Sequence, residues 1–363
     1  MKHSKHMKRT KKKRIIVVSV VMIILVLIIV LGVVFYKNSE EEVTEDENLY
    51  VEITEEEEEE IEETQEEEEE ASISIYSGTD RPIAVMIDNH NGAWPQAGLN
   101  SAYLVYEIIV EGGETRLMAL FKGQDLEFIG PVRSSRHYFL DYAMENDAIY
   151  VHYGWSPQAE SDISTYSINN INGISYSTDS FWRITTKSSP HNVMTSTSSI
   201  LTIAESLGYR TTSSETSVLN YVGTEVTLED GIDATSVTIP HSTLQTVKYV
   251  YNETTQTYTR YARGTLQTDY ITGESITTKN IIIEFIDNYT LEDGTNKGRQ
   301  TIDNIGTFDG YYITNGKAIK ITCTKTSRSS QTVYKDLDGN IIDVNDGNTW
   351  INICPTDASV VIE

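Results

Sequence analysis

Short apolar runs bounded by turn residues recur between residues 81 and 153 of the chain. Runs of this length that end in Gly, Pro, Asn or Asp are typical of buried strands. A Gly-Gly pair at 112–113 is a turn signal between two of them. The pattern predicts strands over residues 81–88, 102–109, 114–121 and 148–153.

A three- and four-residue spacing of apolar side chains replaces the strand pattern in two segments. Aromatic and small side chains at this spacing predict one helix over residues 133–146 and a second over 196–207. The second segment stops at Gly208, which suits a helix C-cap. Because strands and helices mix over residues 78–215, we predict an α/β or α+β domain there.

The pattern changes again after residue 216, where Thr, Ser and Tyr alternate with turn residues. A hairpin is predicted over residues 246–264, and further strands are predicted over 280–286 and 318–326. The sequence has no helical period of useful length in this region. We therefore predict a second, mostly β domain over residues 216–363.

The N-terminal segment has a pattern of its own. Residues 15–36 contain no charge, and at 1.5 Å per residue they are long enough for a hydrocarbon layer of about 30 Å. A cleaved signal peptide is the alternative, but its apolar core is usually shorter, about 7–15 residues. We predict a transmembrane helix at 15–36, a basic cytoplasmic tail at 1–14 and an acidic disordered linker at 37–77. The chain is thus predicted to be a single-pass protein of the cell membrane, with its C-terminal domains outside the cytoplasm.

The distribution of charge narrows the possible partners. The formal net charge is −26, but residues 1–14 hold eight Lys/Arg and residues 40–70 hold twenty Asp/Glu. With these segments and Lys37 set aside, residues 71–363 carry 34 acidic and 19 basic side chains, a net charge of −15. An acidic surface repels the phosphate backbone, so nucleic acid is excluded as a partner.

The segment 130–159 combines arginines, serines, histidines and aromatic residues. Arg116, Arg133 and Arg136 are the candidate anion receptor, because a guanidinium offers a planar fork of donors to a carboxylate or phosphate. A helix that begins near Arg133 adds the free N–H groups of its first turn. Peptidoglycan carboxylates and teichoic-acid phosphates are suitable ligands outside a cell. The alternative is that these arginines pair with nearby acidic side chains, namely Glu107, Glu111 and Glu114.

Three histidines are candidates for proton transfer, namely His137, His152 and His191. Glu114 is a further acid–base candidate, and Ser134 is a candidate nucleophile beside a histidine. The sequence contains no HExxH or GxSxG signature. We predict neither a metal nor a cofactor, and the sequence leaves open whether these histidines are catalytic or structural.

Two further side chains complete the predicted binding residues. Asp88 closes the first predicted strand, and ligands in α/β sheets bind at the carboxyl ends of strands. Trp155, with other tryptophans such as Trp94 and Trp182, can offer a flat apolar ring to a sugar, although such rings more often belong to the core. The predicted binding residues are Asp88, Arg116, Arg133, Ser134, Arg136 and Trp155.

The two cysteines, Cys323 and Cys354, lie in strand-like runs of the second domain. Outside the cytoplasm a disulfide is permitted, and two buried thiols are equally compatible with the sequence. Both possibilities stay open at this stage.

Several ordered blocks of sequence carry a family resemblance. They are RPIAVMIDN (81–89), EGGETRLMALF (111–121), IGPVRSSRHYF (129–139), DAIYVHYGWSPQA (147–159), PHNV (190–193), TTKNIII (277–283) and TWINICP (349–355). Together they resemble the YerB-like family of Gram-positive cell-surface lipoproteins, whose domains have no known function. The resemblance implies two domains and an envelope location, without an established activity. That family usually has a lipobox cysteine, whereas this chain has no cysteine before Cys323.

Two functions from different classes are compatible with these residues. The first, which we favour on the sequence, is a scaffold or regulator of wall metabolism that binds an anionic cell-wall polymer or an envelope protein through Arg133 and Arg136. The second is a wall-modifying hydrolase or transferase that uses a histidine as acid or base. Geometry separates them, because an enzyme needs a histidine within hydrogen-bond reach of a Ser, Glu or Asp at the floor of a cleft beside the arginines, whereas a binding module needs only the arginines and aromatic residues around an open groove.

Overall fold

A computed structural model describes residues 72–363 of the chain. The strands before residue 216 are β1 (Ile83–Asp88), β2 (Leu104–Ile109), β3 (Thr115–Phe121), β4 (Ile149–His152), β5 (Asn170–Asn172), β6 (Trp182–Arg183) and β7 (Val193–Met194). The α-helices are α1 (Phe139–Glu145), α2 (Pro157–Thr165) and α3 (Thr197–Ser206). Single turns of 3-10 helix occur at Asn91–Ala93, Leu99–Ser101, Glu111–Gly113 and Gly173–Ser175.

The remaining strands follow after residue 216. They are β8 (Asn220–Val222), β9 (Ile232–Asp233), β10 (Ser236–Pro240), β11 (Thr246–Asn252), β12 (Thr257–Ala262), β13 (Thr265–Leu266), β14 (Thr277–Thr278), β15 (Asn280–Phe285), β16 (Asn288–Thr290), β17 (Gln300–Ile302), β18 (Gly306–Thr314), β19 (Lys317–Lys325), β20 (Val333–Lys335), β21 (Asp343–Asn345), β22 (Thr349–Cys354) and β23 (Val361–Ile362). Residues 216–363 thus contain strands and loops without a helix, which confirms the predicted mostly β character.

Eleven strands form one mixed sheet in the order β20-β19-β18-β15-β22-β2-β3-β1-β4-β5, with β9 paired to β19. β22 lies between β15 and β2 and is parallel to both. β4 is parallel to β1, whereas β3 is antiparallel to β1 and to β2. Because β2 and β22 come from opposite ends of the sequence, the sheet runs without a break through both halves of the chain.

Side chains of β1 and β2 alternate between the two faces of this sheet. On one face, Val85 and Val105 belong to a core that includes α3 and a six-stranded sheet, in which β13-β12-β11-β10-β23 lie in order and β14 pairs with β12. On the other face, Met86 and Tyr106 belong to a core that includes residues of α1 and α2. Since both faces are covered, polar side chains of the central strands reach solvent chiefly at the strand ends.

The local predictions for the first half of the chain are mostly confirmed. The four predicted strands correspond to β1, β2, β3 and β4, each slightly shorter than expected. The helix predicted at 196–207 is α3, whose N-cap Ser196 accepts a hydrogen bond from the N–H of Ser199. The hairpin predicted at 246–264 is formed by β11 and β12.

The helix predicted over residues 133–146 is wrong at its start, because α1 begins only at Phe139. The N–H of Arg133 donates to the carbonyl of Met86 at 2.8 Å, and the N–H of Ser135 donates to the carbonyl of Gly154 at 2.9 Å. These bonds hold the segment alongside the ends of β1 and β4. Arg133 therefore has no helix N-terminus beside it to assist in binding an anion.

The two cysteines are free and buried, so the possible disulfide is not formed. Cys323 lies in β19 and Cys354 at the end of β22, with β18 and β15 between them. Three strand spacings of about 4.8 Å separate the two chains by roughly 14 Å, beyond the Cα distance of about 7 Å that a disulfide allows. Burial raises the pKa of the Cys354 thiol to about 12 and that of Cys323 well above its usual value.

Among residues 72–363, no helix is both long and apolar enough to cross a membrane. The predicted transmembrane helix at 15–36 and basic tail at 1–14 lie outside the described residues. Of the linker predicted at 37–77, the structure describes only residues 72–77. There Ser74 donates to a carboxylate oxygen of Asp346 from its N–H at 3.0 Å and from its hydroxyl at 2.7 Å.

Candidate functional site

The end of β1 collects the polar side chains of the candidate site. Asp88 is the last residue of β1, and its partner across the ladder in β3 is Arg116. The N–H of Asp88 donates to the carbonyl of Pro131 at 2.8 Å, which brings the segment of Arg133 alongside. The loop between β6 and β7 supplies His191, whose ring reaches the same carboxylate. Residues far apart in the sequence thus converge on Asp88.

The closest contact in the site joins Asp88 to His191. Nδ1 of His191 lies 2.7 Å from Oδ2 of Asp88, and Oδ1 accepts the N–H of His90 at 3.1 Å. An ionised carboxylate only accepts hydrogen bonds, so the neutral ring of His191 bears its proton on Nδ1 and its lone pair on Nε2. The Asp88 side chain is 4% exposed and the His191 side chain 19%. The buried carboxylate of Asp88 therefore orients the partly exposed ring of His191, whose Nε2 is the basic nitrogen.

Arg133 shares the same carboxylate. Its Nε lies 3.1 Å from Oδ2 of Asp88, within the distance of an ion pair but without the alignment of a hydrogen bond. The Arg133 side chain is 24% exposed and keeps donors available to a ligand. Beneath it, Arg116 donates from Nη1 to the carbonyl of Ser134 at 2.6 Å, while its buried Nε has no partner. Burial and the charge of Arg136 lower the pKa of Arg116 to about 10, and Asp88 opposes the shift.

His90 stacks on His191 and extends the site. The ring centroids are 4.3 Å apart with an interplanar angle of 13°. Nδ1 of His90 accepts the N–H of Gly92 at 3.0 Å, and its Nε2 lies 3.9 Å from Oε1 of Glu114. A Cβ on Gly92 would lie 3.1 Å from the His90 ring and 3.2 Å from the His191 ring, so a larger residue there would require the stacked rings to shift slightly.

The second half of the chain contributes Arg263 to the site. Its guanidinium pairs with the carboxylate of Glu114, donates from Nε to Gln245 at 2.6 Å and lies 5.7 Å from the centre of the Trp94 ring. Arg263 has a φ of 50°, in the left-handed region that a non-glycine residue seldom adopts, at the turn after β12. Sequence reasoning missed this residue, because only the packing of the two sheets brings it to Glu114.

A buried hydrogen-bond network lies below the site. Glu107 of β2 accepts hydrogen bonds from Asn89 at 3.0 Å, Thr115 at 2.7 Å and Arg260 at 2.7 Å. The amide oxygen of Asn89 in turn accepts the indole N–H of Trp94 at 3.2 Å. Burial favours the neutral acid, but the charge of Arg260, the neighbouring His241 and the hydrogen bonds from Thr115 and Arg260 together outweigh it, and the net pKa of Glu107 is lowered. This network fixes the residues around Asp88 without being exposed itself.

Two of the predicted binding residues have internal partners. Arg136 holds Glu111 in a bidentate pair, with Nε 2.6 Å from Oε1 and Nη2 2.8 Å from Oε2. The hydroxyl of Ser134 donates to the carbonyl of Tyr153 at 3.1 Å. The pairing with an acidic neighbour that the sequence left open as an alternative therefore applies to Arg136.

The other histidine candidates lie apart from Asp88. Nε2 of His137 is 2.9 Å from the hydroxyl of Thr301, and burial lowers the pKa of His137 to about 4. His152 is buried, with Nδ1 2.8 Å from the carbonyl of Gly154, and burial lowers its pKa to about 4 as well. Trp155 is 36% exposed, and its ring centroid is 5.4 Å from that of His152. Of the histidines predicted as catalytic, only His191 reaches a carboxylate beside an arginine.

Comparisons with known proteins identify both halves of the chain. The model of the N-terminal domain of "Protein of unknown function (DUF3048)" matches residues 67–210, and that of its C-terminal domain matches residues 237–351. The "Putative lipoprotein YerB" of Bacillus subtilis (strain 168) is 32% identical over 286 residues, which span 76% of this chain and 81% of the relative. The crystal structure of the YerB protein from Bacillus subtilis matches with a TM-score of 0.70. The matched region spans 78% of this chain and 94% of the chain in the crystal structure.

These findings correct the predicted location and confirm the predicted family. A single-pass location was expected from residues 15–36, but the Bacillus subtilis relative is named a lipoprotein, a class that a lipid holds at the membrane. The single-pass assignment is therefore wrong as a description of this family's anchor. The matched domains and the identity over most of the chain agree with the sequence blocks that carry the resemblance. The chain therefore belongs to the YerB-like family of two-domain proteins of unknown function.

Proposed function

We propose that this protein hydrolyses or transfers an anionic component of the cell wall, with His191 as the general base. Its relationship to a lipoprotein indicates an extracytoplasmic surface protein. One observation carries the finer proposal, namely that Asp88 holds Nδ1 of His191 at 2.7 Å and leaves Nε2 free beside Arg133. This contact supplies the histidine–carboxylate pair beside an arginine that an enzyme would need at the floor of a cleft.

The proposed chemistry needs only the residues around Asp88. Arg133 binds the anionic group of the substrate through its exposed donors. Nε2 of His191 takes the proton of a water or hydroxyl as its oxygen bonds to the phosphorus or carbonyl carbon. Asp88 stabilises the imidazolium that forms. The imidazolium then returns the proton to the oxygen or nitrogen of the leaving group as the old bond breaks, which restores the site.

A binding scaffold is the second candidate, and the partial engagement of Arg133 favours it. The guanidinium shares Asp88 with His191 and makes no aligned hydrogen bond from Nε. An anionic polymer can bind there without any reaction. This candidate requires Arg133 but is indifferent to the basic nitrogen of His191.

Digestion of purified sacculi that retain their anionic polymers tests the enzymatic proposal. We expect wild type to release fragments, and His191→Ala to release them about 10²–10⁴ times more slowly, the usual contribution of a general base. His137→Gln is the matched control, because His137 lies away from Asp88 and bonds to Thr301. Equal release by wild type and His191→Ala, or no release by either, would reject catalysis.

A pull-down with the same wall fragments tests the role of Arg133 in binding. Arg133→Ala removes exposed donors, so we expect roughly tenfold weaker retention, the loss of one charge-assisted hydrogen bond. Arg136→Ala serves as the control, because Glu111 already neutralises Arg136. Unchanged retention by Arg133→Ala would eliminate both candidate functions at this site.

A further inference from the structure

We infer that the hairpin of β6 and β7 carries a second anion subsite, so that the site takes a polymer of repeated phosphate groups. This inference rests on the proposed function, because it extends the substrate of the same site. The subsite consists of Arg183 and Lys187, which precede His191 in the chain.

The charge of this segment departs from that of the surrounding protein. Residues 71–363 carry 34 acidic and 19 basic side chains. Residues 180–204, however, contain Arg183, Lys187 and His191 and no Asp or Glu. A positive segment in an acidic protein attracts an anion locally while the remainder of the surface repels it. The bound anion is therefore directed toward His191.

The arginines of the described region show how unusual Arg183 is. Of the ten arginines in residues 72–363, eight form an ion pair with a carboxylate. The two that do not are Arg116 and Arg183, and both adjoin the site. Arg116 lies opposite Asp88 in the sheet. Arg183 donates from Nη1 at 2.6 Å to the side-chain oxygen of Asn192, the residue next to His191.

Aromatic rings hold both cations in place of carboxylates. Cζ of Arg183 lies 5.4 Å from the ring centre of Tyr153, and Nζ of Lys187 lies 4.4 Å from that of Tyr270. Nζ of Lys187 is also 3.3 Å from the carbonyl of Trp94. A ring orients a cation without neutralising it, so the positive charge and the remaining N–H donors stay available to a ligand.

The two cations pack against different parts of the protein, Arg183 against Tyr153 and Lys187 against Tyr270. This separation favours a ligand with more than one charged group. Tyr153 follows β4, and its N–H donates to the carbonyl of Arg133 at 2.9 Å. Tyr270 belongs to the second half of the chain, so Lys187 lies where the two halves meet. Lysine binds phosphate as a point charge and arginine binds it with a planar fork. One phosphate at Arg133 leaves the next phosphates of a chain to contact Arg183 and Lys187.

Lysine footprinting of the full chain with short-chain polyphosphate tests this subsite. The rate of acetylation of Lys187 is measured by mass spectrometry, with the exposed Lys248 of β11 as the internal control. We expect polyphosphate to slow acetylation of Lys187 roughly tenfold, the effect of one charge-assisted hydrogen bond, and to leave Lys248 unchanged. Because each lysine is read separately, the basic residues 1–14 do not contribute to the signal.

Three comparisons complete the test. Orthophosphate at equal phosphate concentration is expected to protect Lys187 weakly, and poly-L-glutamate is expected to protect it less than polyphosphate. Arg183→Gln is expected to raise the half-protecting polyphosphate concentration several-fold, whereas Lys248→Gln is expected to leave it unchanged. Protection of Lys187 by orthophosphate or poly-L-glutamate equal to that by polyphosphate, or no protection at all, would overturn the subsite. His191→Ala should retain protection, so loss of the proposed reaction and loss of the subsite give different results.

Discussion

Two buried carboxylates on the central strands, Asp88 and Glu107, each pair with an arginine, but the two arginines differ in their exposure to solvent. Asp88 ends β1 and pairs with Arg133 at 3.1 Å. Glu107 lies within β2 and pairs with Arg260 at 2.7 Å. Both side chains are almost fully buried, with exposed fractions of 4% and 0%. The difference lies in their partners, since Arg133 is 24% exposed and Arg260 is 1% exposed.

We propose that this difference separates a structural charge from a functional one. Every donor to Glu107 is a protein side chain, and two of these donors come from Arg260 of β12 and from Gln245 of the loop between β10 and β11. Glu107 therefore fastens the two sheets together. Asp88 orients two groups whose other sides face solvent, so its contacts leave reactive atoms available. A buried carboxylate indicates a functional site when its partners, and not the carboxylate itself, are exposed.

The largest expected effect comes from breaking the buried pair. Glu107→Gln leaves the charge of Arg260 without compensation in a site that excludes water. We expect the free energy of unfolding to fall by about 3–5 kcal/mol, the usual cost of removing one partner of a buried ion pair. Urea unfolding of the full chain, followed by tryptophan fluorescence, measures this change.

The double variant Glu107→Gln with Arg260→Met provides the control for that experiment. It removes both charges, so we expect it to recover part of the lost stability. If Glu107→Gln alone lowers the free energy of unfolding by less than about 1 kcal/mol, the assignment of Glu107 as the fastening charge is incorrect.

Glu284 sharpens the comparison, because it is a buried carboxylate without an arginine. It is 1% exposed and accepts a hydrogen bond from the Tyr334 hydroxyl at 2.7 Å. Burial raises its pKa from 4.5 to about 7. A pKa that is raised on folding gives stability that is complete below pH 4.5 and is lost as the pH rises through 7. The loss amounts to about 3 kcal/mol by linkage.

The difference in unfolding free energy between wild type and Glu284→Gln isolates this effect. We expect wild type to lose stability relative to the variant between about pH 4.5 and pH 7. In this range the unfolded wild type releases the proton of Glu284 whereas the folded protein retains it, and the variant has no such proton. Asp141, whose pKa burial raises to about 6, contributes a similar slope to both proteins and cancels. A difference that is independent of pH would show that Glu284 is already ionised in the folded protein.

Local sequence predicted the elements of this fold better than it predicted the connections between them. The runs that became β1, β2 and β3 are apolar and end at turn residues, so their identity depends on neighbours in the sequence. Asp88 was expected at a strand end for the same reason. The start of α1 was misplaced, because Arg133 and Ser135 bond to the ends of β1 and β4 instead of forming a helical turn.

The candidate site depends on contacts between distant parts of the chain. His191 was one of three equivalent histidines in the sequence, and only the loop between β6 and β7 brings it to Asp88. Glu111 was a possible partner of Arg136 but no spacing made it the necessary one. Arg263 had no local signal, since its role follows from packing of the six-stranded sheet against the large one.

The smallest expected effect on stability is that of Asp88→Asn, although its effect on the reaction is large. The partners of Asp88 are partly exposed and can turn to water, so we expect a loss of less than about 1.5 kcal/mol in urea unfolding, within the contribution of one hydrogen bond. An asparagine amide that donates to Nδ1 of His191 moves the proton to Nε2 and removes the base. Release of fragments from sacculi should therefore fall about 10²–10⁴-fold while the protein stays folded. If Asp88→Asn instead destabilises the protein as much as Glu107→Gln does, Asp88 is a structural charge and the distinction between the two carboxylates fails.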